Sequence, residues 1–175
     1  MIPAASGRRI QVEVEEMEIA YSPIGVIHSP FRELKGMPIQ PAGAKGIAGT
    51  VEVFEEFREG LKDLDGFSHV ILLYHLHAGE GFRLHVVPFL DSQPRGLFAT
   101  RAPKRPNPIG LSVVRLRGIE NGVLRIENVD ILDGTPLLDI KPYVPDFDGH
   151  TKVKTGWLEE ARKTVSGKRS DSRFR

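Results

Sequence analysis

The sequence predicts a mainly β protein, a single-sheeted β-barrel of about eight short strands with one or two small helices. Apolar and polar residues alternate along most of the chain, which is the period of a strand with one buried face. The 18 glycines and 13 prolines interrupt this alternation at short intervals, and short strands separated by such turns are typical of barrels and sandwiches. The candidate strands span residues 24–30, 46–54, 67–77, 82–90, 95–101, 109–119, 123–132 and 137–144.

The best-defined strand pair is a hairpin around Asn121-Gly122, because this dipeptide readily adopts the two positive φ angles of a type I′ turn. In the second arm of the hairpin, the apolar positions run to Ile126 and resume at Val129, out of step by one residue. This shift predicts a β-bulge near Asn128 that redirects the chain just before the sequence LDGTP.

One internal helix is predicted over residues 55–64, where Phe57, Leu61 and Leu64 recur at helical spacing. We expect it to cover an end or a flank of the barrel. The strand that contains HVILLYHL is apolar on both faces. It should therefore face the barrel core on one side and a further surface, such as a second subunit, on the other.

Composition bounds the domain organisation and the cellular location. A chain of 175 residues that is 40% hydrophobic suits one domain with an ordinary core. We divide it into an N-terminal extension (1–20) with an extra edge strand, the barrel (21–150) and a polar, basic C-terminal tail (151–175). The chain has no cysteine, which excludes disulfides and thiolate metal sites and favours a cytoplasmic location. It lacks a run of about 18 apolar residues, so we predict no membrane association.

The segment ATRAPKRPNPIGLS (99–112) combines three prolines with three cations. Each proline fixes its own φ angle and holds the preceding residue extended, so the segment is stiff without hydrogen bonds of its own. A stiff loop loses little conformational freedom when it binds a ligand. A barrel-corner loop with solvated cations would show the same pattern, so the segment alone leaves both interpretations open.

Five motifs in this order, IGVIHSPF, GMPIQP, LDGFSHVILLYHLH, ATRAPKRPNPIGLS and DILDGTPLLDIKPYVPDFD, resemble the TrmO-type (TsaA-like or YaeB-like) tRNA (adenine-N6)-methyltransferases. The resemblance covers residues 22–148. It implies a homodimer of single-sheeted barrels that uses S-adenosylmethionine (SAM) to methylate N6 of N6-threonylcarbamoyladenosine. That nucleoside lies beside the anticodon, so the anticodon loop of tRNA is the expected partner. Many bacterial members continue into a small C-terminal domain, and this shorter chain resembles archaeal relatives.

The resemblance also implies the residues of the SAM site. Arg101 would meet the methionine carboxylate, which a guanidinium can bind through two nitrogens. Leu111 would pack on the adenine, and the amide of Gln40 would bind a polar edge of the cofactor. The other residues carried over as cofactor-binding are Pro38, Ile39, His75, Leu76, Asp133, Gly134, Thr135 and Pro136.

The acceptor side is less defined by the motifs. N6 of adenine is a poor nucleophile because its lone pair is delocalised into the ring, so a group that accepts its proton or polarises it would help. We take Asn107, Asp139 and Tyr143 as candidate catalytic residues. The cations that we nominate for tRNA phosphates are Arg83, Arg95, Lys104, Arg105, Lys141, Lys168 and Arg169.

Other functions stay open at this point. A SAM-binding module without turnover would keep the same pocket, and a methyltransferase could act on another adenine-type acceptor. His75, His77 and His85 could form a zinc site, but no carboxylate stands at ligand spacing, and we predict no metal. A Rossmann-type methyltransferase is disfavoured because the glycine cluster at 43–49 lies among strands rather than between a strand and a helix.

Overall fold

The structure is a computed structural model that describes residues 19–38 and 41–161. It confirms the mainly β barrel. Six strands close into an antiparallel barrel in the order β1, β2, β7, β6, β3, β8, and β4 with β5 forms a separate two-stranded sheet. The bounds are β1 Gly25–His28, β2 Ala48–Val53, β3 His69–His75, β4 His85–Val86, β5 Arg95–Gly96, β6 Ile109–Glu120, β7 Val123–Glu127 and β8 Thr135–Pro142.

The strand pairings give the barrel two ends with different residues. At the upper rim, β3 ends at His75, β6 begins at Ile109 and β8 begins at Thr135. At the lower end, β3 begins at His69 and β8 ends at Pro142. The inward side chains of all six strands fill the space between the two ends with a single core cluster that includes isoleucine, leucine and valine.

The hairpin and the predicted bulge near Asn128 are both confirmed. Asn121 and Gly122 have φ angles of 51° and 81°, as a type I′ turn requires. Just after β7, the N–H groups of Asn128 and Val129 both donate to the Ile47 carbonyl, at 2.8 and 3.2 Å, and Asn128 has a φ of 68°. Two residues therefore oppose one, as in a bulge that begins with a left-handed residue. Further register shifts lie on β6 between Leu116 and Gly118, and in the pairing of β3 with β8 at Leu73 and Tyr74.

The predicted helix over 55–64 is wrong in type but right in place. The segment forms two 3-10 helices, Glu55–Leu61 and Leu64–Gly66. Between them Asp63 has a left-handed φ of 66°, which interrupts any continuous α-helix. Leu61 and Leu64 pack against the barrel core from the lower end, so the segment does cover an end of the barrel.

The remaining helices are short, and two strands are much shorter than predicted. The α-helices are α1 Pro145–Asp148 and α2 Leu158–Ala161, and further 3-10 helices are Pro41–Ala44 and Leu97–Ala99. The predicted strands 82–90 and 95–101 are reduced to the two-residue strands β4 and β5. Pro88, which cannot donate to a sheet ladder, follows β4, and the 3-10 helix Leu97–Ala99 follows β5 directly.

Parts of the predicted extension and tail lie outside the described residues, namely 1–18 and 162–175. The first part of the tail is described: the Trp157 indole N–H donates to the Ala99 carbonyl at 2.8 Å, so this part of the tail contacts the loop before the proline segment. The division into extension, barrel and tail stays a prediction. None of the helices in the described ranges has the length and hydrophobicity needed to cross a bilayer.

Candidate active site

The upper rim brings the ends of two sequence motifs together. Strand pairing sets His75 opposite Ile109 and Leu73 opposite Leu111. One residue beyond the ladder, the Leu76 N–H donates to the Pro108 carbonyl at 2.7 Å. The end of the HVILLYHLH strand is therefore fixed directly against the proline segment, although the two are more than thirty residues apart in sequence.

The DGTP turn reaches the same rim through the first strand. The Gly134 N–H donates to the Ile27 carbonyl at 2.9 Å, and Thr135 pairs with Ile27 in the sheet. Gly134 is exposed with a φ of 76°, a conformation that favours glycine. The buried Thr135 hydroxyl donates to the Leu132 carbonyl at 2.7 Å, and Pro136 is half-buried. The turn thus presents its backbone at Gly134 to the outside.

The carboxylate of Asp133 is already occupied within the chain. It accepts the Ser29 N–H at 3.0 Å, forms an ion pair with Arg32 and lies 3.5 Å from His28 Nδ1. The backbone hydrogen bond, followed by the charge of Arg32, lowers the pKa of Asp133. This side chain therefore holds the turn against β1.

A buried polar network that the sequence did not reveal lies inside the rim. Ser112 Oγ is 3.0 Å from the Tyr74 hydroxyl and donates to Asp130 Oδ1 at 2.8 Å. Burial raises the pKa of Asp130 to about 6, although the Ser112 hydrogen bond and the positive charge of Arg101 act in the opposite direction. Burial likewise raises the pKa of Tyr74. Gly110 makes room for this tyrosine, since a Cβ there would lie 2.1 Å from the ring.

A sequence signal for this network existed but was weak. Ser112 and Gly110 occupy inward positions of β6, where the next two inward residues are Val114 and Leu116. Asp130 stands between two buried aliphatic residues in the chain segment that follows β7. A polar residue at an apolar position indicates a hydrogen-bonded site, but the partner cannot be named until the strands are paired.

Arg101 is a cation held next to this network. It is exposed, and its charge acts on both Tyr74 and Asp130. It makes no ion pair with any acid in the described part of the chain. The loop around it is braced, because Arg105 Nη1 donates to the carbonyls of Thr100 at 3.0 Å and Ala102 at 3.3 Å. The site can therefore present a fixed cation to an anionic group.

Most of the predicted cofactor residues meet at this rim. Leu111 lies on the outer wall, 46% exposed. Asn107 is exposed, and its carbonyl accepts the Ile109 N–H at 2.8 Å. Pro38 is buried, while Ile39 and Gln40 lie outside the described residues. The residues gathered at the rim are His75, Leu76, Arg101, Asn107, Leu111, Asp133, Gly134, Thr135 and Pro136.

Two predicted catalytic residues lie further along β8 than the DGTP turn. Asp139 is paired with Leu73, the residue that also pairs with Leu111. It forms an ion pair with Lys141 at 2.7 Å and lines a cavity of about 590 Å³ at the lower end. The Tyr143 N–H donates to the His69 carbonyl at 3.1 Å, and His69 is six residue steps, about 20 Å, from the rim residue His75. The catalytic roles of Asp139 and Tyr143 stay predictions.

The nominated phosphate contacts and the histidines are dispersed. Arg95 is paired with Asp91 at 2.7 Å and stacks over Trp157, while Arg83 is exposed. Lys168 and Arg169 lie outside the described residues. Over the ranges that the structure covers, no three His, Cys, Asp or Glu side chains are grouped closely enough to hold a metal ion.

Comparison with known proteins gives one family. A probable S-adenosyl-L-methionine-binding protein of Pyrococcus abyssi is 58% identical over 156 residues, covering 89% of this chain and 85% of that protein. The Escherichia coli tRNA (adenine(37)-N6)-methyltransferase is 36% identical over 151 residues, covering 81% of this chain and 64% of that protein.

Solved structures agree with this result. The crystal structure of TrmO from Pseudomonas aeruginosa matches with a TM-score of 0.68 at 43% identity, covering 81% of this chain and 63% of that chain. This chain thus spans less than two thirds of the length of the solved protein. The family model described as the tRNA-methyltransferase O N-terminal domain matches residues 26–149. The chain therefore belongs to the tRNA-methyltransferase O family.

Proposed function

We propose that this chain is a methyltransferase that uses SAM to methylate N6 of an adenine in tRNA, and that its acceptor is N6-threonylcarbamoyladenosine beside the anticodon. Family membership and the names of the relatives support the reaction class. The observation that carries the proposal is Arg101, an exposed cation without an acidic partner in the described ranges, on a braced loop beside Tyr74 and Asp130.

The chemistry of the rim fits SAM. The methionine carboxylate needs a cation, and Arg101 offers a guanidinium that can bind it through two nitrogens. The adenine ring needs an apolar surface, and Leu111 with Ile109 supplies one on the outer wall, where the two are 46% and 42% exposed. When bound, SAM supplies a methyl group on a positively charged sulfur that departs as a neutral thioether, so the protein needs no strong acid for the leaving group.

The chain's own contribution is then mainly alignment. Loop rigidity from three prolines and the Arg105 hydrogen bonds fixes the site before the ligands arrive, and alignment of two reactants alone can be worth about 7–11 kcal/mol at best. Asn107, held extended between two prolines, is the candidate that faces the acceptor base. Replacing Asn107 by Ala should lower kcat by about 100-fold with an unchanged Kd for SAM, and an equal loss in both would remove Asn107 from this role.

A homodimer is part of the proposal. The outer faces of β3 and β6 form an apolar band of Ile71, Leu73 and Val113, all half-buried, which does not include the exposed Ile109 and Leu111 assigned to the adenine. A band of this kind on a sheet favours a second subunit as its cover. Sedimentation of the wild type should give twice the chain mass, and Ile71→Glu should give a monomer. A monomeric wild type would contradict the dimer.

The reaction itself is tested by nucleoside analysis. Total tRNA that carries the threonylcarbamoyl modification is incubated with the protein and SAM, digested and examined by mass spectrometry. The proposal expects N6-threonylcarbamoyladenosine one methyl group heavier, with other nucleosides unchanged. SAM binding without any methylated product would favour the SAM-binding module, and a different methylated adenine would favour another acceptor. Because tRNA is the proposed partner, the cytoplasm is the proposed location.

A further inference from the structure

An exposed phenylalanine lies three residues before Arg101. Phe98 is 74% exposed, in the middle of the 3-10 helix Leu97–Ala99. Neither the SAM site nor the barrel core uses its side chain. A large apolar side chain that is this exposed, beside the candidate active site, indicates a binding surface.

The backbone around Phe98 is held on both sides. Leu97 is buried in a small cluster with Val86 and Ala102, and its carbonyl accepts both the N–H and the hydroxyl of Thr100, at 3.0 and 2.7 Å. On the other side of Phe98, the Ala99 carbonyl accepts the Trp157 indole N–H at 2.8 Å. The aromatic ring is therefore presented outward from a fixed turn, which reduces the entropy lost when a ligand packs on it.

A guanidinium stands over the ring. The Arg105 guanidinium carbon lies 5.8 Å from the Phe98 ring centroid, within the range of a cation–π contact. The same guanidinium donates to the carbonyls of Thr100 and Ala102, so its plane is fixed as well. Phe98 and Arg105 thus form one pre-ordered surface, which we call the Phe98–Arg105 platform.

The charge of the surrounding segment selects an anionic partner. Between Asp91 and Glu120 the sequence contains six cations and no acid. Arg101, Lys104 and Arg105 lie within seven residues of Phe98. Arg95 is paired with Asp91, Arg117 is paired with Glu127, and Arg115 lies opposite His69 at the lower end. A polyanion with flat apolar groups matches an aromatic ring within such a segment, and RNA presents this combination in its unpaired regions, where bases stack on aromatic rings or guanidinium planes.

A second exposed aromatic residue provides the contrast. Phe147 is 78% exposed in α1, near the lower end of the barrel. Its neighbours in that helix are Asp146 and Asp148, and over the described residues no cation stacks on its ring. Exposure alone therefore does not make a platform, because acids beside Phe147 would repel phosphates.

We propose that the Phe98–Arg105 platform stacks an unpaired nucleobase of the tRNA substrate next to the candidate active site. The proposal rests on the proposed function, because it takes tRNA as the substrate. It assigns a substrate-binding role to Phe98, which the motifs did not indicate, and it gives Arg105 a stacking role beyond that of a phosphate contact.

The test compares Phe98→Ala, Phe98→Trp and Phe147→Ala in the full chain. The Kd for a labelled anticodon stem-loop is measured by fluorescence anisotropy, alongside the Kd for SAM. We expect Phe98→Ala to weaken RNA binding by about 10-fold or more, since stacking on an aromatic ring contributes at that level. Phe98→Trp should bind at least as tightly as the wild type. Phe147→Ala should bind as the wild type does, and no variant should change the Kd for SAM.

Salt dependence separates stacking from charge. Phe98→Ala removes no charge, so its slope of log affinity against log salt should equal that of the wild type. Arg105→Ala should weaken binding and reduce the slope by about one. Equal RNA affinity of Phe98→Ala and the wild type, in a chain with an unchanged melting temperature, would overturn the platform. A change of sedimentation without a change of RNA affinity would assign Phe98 to a protein contact instead.

The binding readout keeps this proposal apart from the proposed function. If the wild type binds the stem-loop and transfers no methyl group, the methyltransferase fails while the platform stands or falls on the Phe98 variants. If the wild type methylates tRNA and Phe98→Ala has an unchanged KM for tRNA, only the platform fails.

Discussion

The two ends of the barrel differ in what fills them. The upper rim holds a buried polar network of Tyr74, Ser112 and Asp130 beneath a braced, cation-bearing loop. The lower end is closed by the two 3-10 helices, around a cavity of about 590 Å³ with an apolar lining that includes Phe57 and Leu64. Because hydrogen bonds are directional and hydrophobic contacts are not, the upper rim requires particular side chains in particular positions. The lower end requires mainly apolar volume.

The largest expected difference between the ends comes from adding one methyl group at each. Gly110→Ala would put a Cβ 2.1 Å from the Tyr74 ring at the upper rim. The ring cannot move without breaking its hydrogen bond to Ser112, so overpacking and a broken buried hydrogen bond act together. We expect the free energy of unfolding to fall by about 3 kcal/mol or more in denaturant titrations.

The matched change at the lower end is Gly60→Ala. No atom lies within 4 Å of a Cβ at this position, so the free energy of unfolding should stay within about 1 kcal/mol of the wild type. Equal losses in the two variants would show that the upper rim is no more tightly specified than the lower end.

The next effect concerns the pH dependence of stability. Burial raises the pKa of Asp130 from 3.8 to about 6, so between these values the folded chain keeps a proton that the unfolded chain has released. The free energy of unfolding should therefore fall as pH rises through this window. Tyr74, Ser112 and Arg101 are the polar and charged groups that act on this carboxyl.

Asp130→Asn removes this titration and keeps an oxygen that can accept the Ser112 hydroxyl. The free energy of unfolding of the variant minus that of the wild type should be measured at each pH. This difference should increase by on the order of 2–3 kcal/mol from about pH 4 to about pH 7.5. Parallel pH profiles of the two proteins would contradict a buried carboxyl that takes up a proton on folding.

A smaller but functional effect is expected at Arg101. Arg101→Ala should weaken SAM binding by about 10- to 100-fold in calorimetry, since hydrogen bonds to charged groups contribute about 1.5–3 kcal/mol. Arg101→Lys should recover only part of this loss, because an ammonium cannot bind a carboxylate through a planar pair of nitrogens. Arg125→Ala, which removes an exposed pair with Glu120, is the control and should bind SAM normally.

Leu61→Ala tests whether the lower end of the barrel contributes to stability without affecting SAM binding. The half-buried side chain packs against the core at the lower end, so its loss should lower the free energy of unfolding by about 1–2 kcal/mol. Binding of SAM should not change. A tenfold loss of SAM affinity in this variant would mean that the two ends are coupled.

The barrel and its hairpin could be predicted from the sequence because both depend on local signals. Alternation along each strand marks its inward face, and Asn121-Gly122 carries the φ angles of its turn. The helix type at 55–64 could not be predicted, since it depends on the left-handed conformation of Asp63, and a residue of this type also fits the end of a continuous helix.

The same difference between local signals and strand pairing explains which residues of the candidate site could be predicted. Motif resemblance selected the DGTP turn, which the strand register brings to the upper rim, and Arg101, whose charge acts on Tyr74 and Asp130 at that rim. The polar network was missed because Tyr74 and Ser112 are 38 residues apart in sequence and Ser112 and Asp130 are 18 apart, so they meet only through strand pairing. Tyr143 shows the converse: although it is close in sequence to the DGTP turn, the extended strand β8 separates the two.

The central claim is that the upper rim is a methyl-transfer site for modified tRNA. It is tested most directly with methyl-labelled SAM and two tRNA pools, one that carries the threonylcarbamoyl modification and one transcribed without it. We predict that the wild type labels only the modified pool and that Arg101→Ala labels it far more slowly at limiting SAM. No label in either pool, from a protein that binds SAM, would contradict the claim.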